Sequence, residues 1–201
     1  MRPRSHALVF ALAIAAGAPA LGLLVSTPSY ASVSIAVSWE GLLQESSSVA
    51  IATPFESKAV WENGRIYTYT HVHVDRAIAG ELAQGAEAWV RTMGGIVGDT
   101  GQSVEGEAIL GLNQSSLLFL HPGPASTFLV TARGQGQFPM VKATDPTQPA
   151  HVVRNGAAGL LMERHDGVGA PERLAGDVLH GLSIDDAARQ VTSAWSRTHA
   201  R

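Results

Sequence analysis

His71 and His73 are separated by one residue, and Tyr67, Tyr69 and Asp75 continue the same period of two on either side. On a strand, residues two apart point the same way. Two imidazoles so placed lie about 6–7 Å apart and can share Zn²⁺ or Cu²⁺. A metal centre needs a third ligand from another strand, and His121 and Asp99 are the candidates the sequence offers. Two tyrosines beside the imidazoles supply flat, amphipathic contact area, which suits a ligand-binding face. The binding face is therefore assigned to Tyr67, Tyr69, His71 and His73, with His71 and His73 as the metal-ligating pair if a metal is bound.

Other chemistries find less support. His71-Val-His73-Val-Asp75 matches the start of the H-x-H-x-D-H zinc signature of metallo-β-lactamase-like hydrolases, but Arg76 stands where the next histidine belongs. Glu105 and Glu107 share an i, i+2 spacing, near the carboxylate separation of retaining glycosidases. Such enzymes set the two groups across a cleft, so the pair reads as a solvated strand face. No G-x-S-x-G elbow is present. The glycines from Gly94 to Gly101 lack the Gly-Lys-Ser/Thr of a phosphate loop and read as a bent loop or bulged strand. A secreted hydrolase is thus the weakest reading, and no cofactor is expected.

The elements that must hold these residues are mostly strands. Asn63-Gly64 is a type I′ hairpin signal, since both positions tolerate positive φ. Ile66, Thr68, Thr70, Val72 and Val74 then form the apolar face behind the tyrosines and histidines. Val49 to Trp61 is the preceding strand, with Pro54 marking a bulge or an edge. Ala86–Met93 places Ala88, Val90 and Thr92 on one face and Glu87, Trp89 and Arg91 on the other. Val104–Leu112, Leu117–Leu120, Phe128–Arg133 and Phe138–Val141 complete six or seven short strands, and Leu117–Leu120 suits burial on both faces. Regular turn signals between them predict a barrel or sandwich. Thr144–Pro149 is a linker, Val152–Leu161 one more hairpin around Asn155-Gly156, and Ser183–His199 a capped helix with Ile184, Val191 and Trp195 on its apolar face.

The N-terminus carries an address. Arg2 and Arg4 precede an apolar run from Ala7 to Val25, and Ser29-Tyr30-Ala31 has the small residues of a signal-peptidase site. Cleavage after Ala31 leaves 170 of the 201 residues and removes two arginines and no acid, taking the formal charge from −3 to −5. The domain plan is a signal peptide over 1–31, a β-barrel over 32–143, and a linker, hairpin and helix over 144–201. The chain has no cysteine, so disulfides, thiolate metal sites and a lipidated cysteine are excluded. An acidic mature chain without a basic run argues against nucleic acid or anionic membrane as partner, and no membrane anchor is expected after cleavage.

Three blocks carry a resemblance: Arg65–Thr70 running to Ala79-Gly80, Val90–Gly95, and Gly101–Glu107 leading to Leu117–Leu120. Over residues 47–142 they resemble a group of bacterial secreted proteins without an established activity. The plan is similar to the netrin-like OB barrel of the tissue inhibitors of metalloproteinases, with Ala79-Gly80 at the corner after the first hairpin. The resemblance implies an all-β, OB-like (netrin-like) barrel with a C-terminal helical extension and a secreted or periplasmic location. The inhibitors chelate the protease zinc through an N-terminal cysteine, which this chain lacks, so that activity is not carried over. The leading functional reading is a secreted non-enzymatic module for a protein or glycan partner. A periplasmic metal-binding protein using His71 and His73 is the alternative.

Overall fold

The computed structural model describes residues 33–145, 147–162 and 173–200. The expected leader and cleavage site lie outside the described residues. In chain order the elements are β1 (Val33–Ile35), α1 (Trp39–Gln44), β2 (Ser48–Glu62), β3 (Arg65–Gly80), β4 (Glu87–Met93), β5 (Gly95–Val97) and β6 (Thr100–Gln102). There follow β7 (Ser116–Pro122), β8 (Phe128–Val130), β9 (Gln137–Val141), β10 (His151–Val152), β11 (Leu160–Met162), α2 (Ala175–Leu179) and α3 (Ile184–Thr198).

Strands β2, β3, β4, β8 and β7 pair in that order, and β7 pairs with β2 again, which closes a five-stranded barrel. Numbered along the chain as barrel strands one to five, the circuit runs 1-2-3-5-4-1. The third and fifth strands are parallel and every other pair is antiparallel. This is the Greek-key circuit of an OB-type barrel. The fold class read from the sequence is therefore the one observed.

Two long strands make the closure possible. β2 and β3 pair over almost their whole lengths through the Asn63-Gly64 turn, whose φ values of 49° and 79° are those of the type I′ hairpin. Register shifts at Val49/Ala50, Ile51/Ala52 and Pro54/Glu56 leave Ile78, Asp75 and Phe55 as extra residues. Each bulge adds local twist and bend, which coils the ribbon around the barrel. Pro54 thus sits at a bulge, where a missing N–H does least harm.

β7 lies between two apolar layers. Leu118 and Leu120 face the barrel interior with Ala52, Val72, Val90 and Val130. Leu117 and Phe119 face outward into a second layer, closed by Trp39, Leu42 and Leu43 of α1, Leu179 of α2, and Ala187, Val191 and Ala194 of α3. The continuous apolar run therefore buries both faces, as expected for a strand sandwiched between layers. In α3, the Ser183 hydroxyl accepts from the Asp186 N–H and reaches its carboxylate, fixing the first turn as read. Val191 is fully buried, whereas Ile184 and Trp195 pack only partly on the layer.

Several expectations are corrected. Val104–Leu112 is not a strand. It is an irregular segment, in which Gly106 takes φ 76° and Gln137 holds the Ile109 backbone by two side-chain hydrogen bonds. Val152–Leu161 is not a hairpin: β10 pairs with β9 and β11 runs parallel to β1, while Asn155 caps a 3-10 turn between them. The Gly94–Gly101 segment is a small hairpin of β5 and β6. Before β2 lies a short helix the sequence reading did not assign, α1, which the Ser38 side chain caps at the Gly41 N–H.

Candidate functional site

The outer face of β3 holds Tyr67, Tyr69, His71 and His73, while Ile66, Thr70, Val72 and Val74 are buried behind them. Register sets their neighbours. His71 stands opposite Glu56 of β2 and Trp89 of β4, and Tyr69 opposite Lys58 and Arg91. The face is packed sideways onto itself. His71 is stacked on Trp89 at 4.4 Å between ring centroids, and Phe55 lies against it at 4.4 Å. Its Nδ1 and Nε2 lie 3.5 Å from Glu56 and 3.4 Å from Glu87. His73, one pleat on, is exposed.

The tyrosines belong to a second cluster. The Arg91 guanidinium lies 3.5 Å above the centre of the Tyr67 ring, a cation–π contact. Arg91 also donates to Glu62 at 2.7 Å, and the Tyr69 hydroxyl donates to the other Glu62 oxygen. These bonds, that from Tyr69 first, hold the Glu62 carboxyl below its ordinary value of 4.5, and the same bond holds the Tyr69 phenol above 10.0.

The four residues therefore share a face but divide into two sets. Tyr67 and Tyr69 gather around Arg91, and His71 is locked between two rings. His73 joins neither. Among the described residues no group of three His, Asp or Glu side chains could hold a metal ion. His121 instead bonds Thr131, and Asp99 lies in the turn between β5 and β6.

A cleft of about 310 Å³ opens beside the tyrosine set. Its cause is topological. The parallel strands β4 and β8 share a single bridged pair, Val90 with Phe128, and part beyond it. Into the gap come Tyr67, Arg91 and Met93 from one side, Leu129, Val130 and Arg133 from the other, and Glu107 and His121 between. Glu107 is buried, and burial pushes its carboxyl above 4.5 although Ala108 N–H and Arg133 pull the other way. Arg133 Nε stands 4.0 Å from it. The His121 Nδ1 is 3.2 Å from the Thr131 hydroxyl, which meets Ser46 at 3.0 Å, so the cleft wall is tied to the end of α1.

The lip of the cleft is strained. Ala132 and Arg133 have φ of 52° and 56°, a left-handed conformation that costs a non-glycine residue roughly 1–3 kcal/mol. The turn also closes tightly on itself: a Cβ on Gly136 would lie 2.1 Å from the Thr131 carbonyl oxygen. The Gly134 N–H bonds the Gly106 carbonyl at 2.9 Å, fastening the turn to the Glu107 segment.

Sequence reasoning placed Arg91 on one face with Glu87 and Trp89 but gave it no role, and it missed Glu107, His121 and Arg133 as a group. Glu107 was read on a solvated strand face, and nothing in the local pattern announces a buried carboxyl in irregular backbone. The signal available was Arg133-Gly134-Gln135-Gly136, a cation beside a glycine-marked break. No protein-family model, curated protein or solved structure matches this chain.

Proposed function

We propose that the protein is a secreted, non-enzymatic binding module that engages a protein or glycan partner on the outer face of its β2–β3–β4 ribbon. The leader-like N-terminus supports export, and the closed barrel is a fold on which such binding faces are built. The observation that carries the binding reading is Phe55. The bulge at Pro54/Glu56 throws this ring outward, 45% exposed, onto the His71–Trp89 stack. Rings already ordered by stacking lose little entropy on contact, which favours affinity. Glu56, Glu87 and His73 supply the polar rim.

The test compares the mature protein with a Phe55→Ala variant, on a glycan array and by cross-linking to exported proteins. Phe55 is exposed, so the variant keeps its fold, and its bound partners should fall at least about tenfold in yield. Partners captured equally by both proteins would refute the assignment of this face.

A further inference from the structure

The cleft between β4 and β8 lies at the edge of this face and differs from it in chemistry. Its walls contribute two guanidinium groups, Arg91 and Arg133, and one carboxyl, Glu107. The rest is apolar or aromatic: Tyr67, Met93, Leu129, Val130 and Ala132, with Thr92 and His121. Arg91 is engaged by Glu62 and Tyr67, whereas Arg133 is 53% exposed and only loosely opposed by Glu107. Arg91 Nε is buried without an acceptor, so this wall is one acceptor short of satisfied. A volume near 310 Å³ is at the lower end of small-ligand sites.

We infer that this cleft binds a small organic monocarboxylate with an apolar body, its carboxylate paired with Arg133 and its body against Leu129, Val130 and Met93. A guanidinium prefers a carboxylate because the fork of N–H donors matches the two oxygens. Other charged and titratable groups close to the site are Glu62 behind Arg91 and His121 beside Thr131. Glu107 competes for Arg133 when ionised, and burial favours its neutral form. Arg133 is held at the lip in left-handed backbone, which places its side chain beside Glu107 rather than away from the barrel.

The strain supplies a clean test. Arg133→Gly removes the guanidinium and relieves the positive φ, so it cannot weaken binding by unfolding the lip. Phenylacetate, phenylacetamide and inorganic sulfate are titrated into wild type and variant, with NMR shifts of cleft residues as readout and melting temperature as control. Phenylacetate should bind wild type, outdo the amide by at least about tenfold, and lose at least about tenfold in a variant that melts no lower. Glu107→Gln should bind phenylacetate at least as tightly as wild type. Equal binding of acid and amide, no binding to wild type, or retained binding in Arg133→Gly would overturn the assignment, and sulfate binding as well as phenylacetate would overturn the apolar-body requirement. None of these readouts involves Phe55, so the cleft and the ribbon face stand or fall separately.

Discussion

His71 and His73 look equivalent in the sequence, yet their surroundings separate them. His71 is held between Phe55 and Trp89, while His73 is exposed. A stacked aromatic pair contributes about 0.5–1.5 kcal/mol beyond area burial. His71→Ala should therefore lower unfolding free energy by about 1–3 kcal/mol, and His73→Ala should change it by less than about 0.5 kcal/mol in urea titrations. Glu107 gives a second test, in pH. Its carboxyl is raised in the folded chain, so folding takes up a proton. Its contribution is most favourable below the unfolded value and worsens as pH rises through the folded one. Glu62, Asp145 and Asp186 are lowered and act with the opposite sign, becoming less stabilising as pH falls through their folded values. The difference Glu107→Gln minus wild type isolates the first effect. The variant should gain in relative stability as pH rises from about 4 towards 7. A flat difference would mean Glu107 is not desolvated.

At the scale of elements, α3 shows what a local pattern can specify. Its cap, its apolar stripe and its docking were all readable, because the helical period and the Ser183–Asp186 pair are local. Ser183→Ala should lower stability by about 1 kcal/mol, read as a lower melting temperature, whereas loss of half-buried Trp195 should cost well under the roughly 3–5 kcal/mol of a core tryptophan. The β2–β3 hairpin was equally legible, through Asn63-Gly64 and an alternating face. α1 is six residues long and shows only the i, i+3, i+4 set Trp39, Leu42 and Leu43, too short to stand out as a helical period. The cleft was illegible for a different reason. It exists because β4 and β8 part after one bridge, and strand partners distant in sequence leave no periodic trace.

At the scale of the molecule, the barrel and the helical layer share one wall. β7 contributes Leu118 and Leu120 to the interior and Leu117 and Phe119 to the outer layer, and β2 divides Ala52 from Val49 and Ile51 in the same way. Backbone that is fixed for one layer is thereby fixed for the other, so neither should melt alone. Leu118→Ala opens a cavity in the barrel and Phe119→Ala one beneath the helices, at about 2–5 and 3–5 kcal/mol. Trp39, edge-on to Phe119 at 6.0 Å, contributes a near-ultraviolet signal from the outer layer, and far-ultraviolet dichroism follows the backbone as a whole. Both variants should shift a single urea transition to lower midpoint, with the two signals coincident and the slope unchanged. A Phe119→Ala protein whose near-ultraviolet signal is lost first, with the strand signal intact, would show the helices to be a separable cover on a barrel that stands without them.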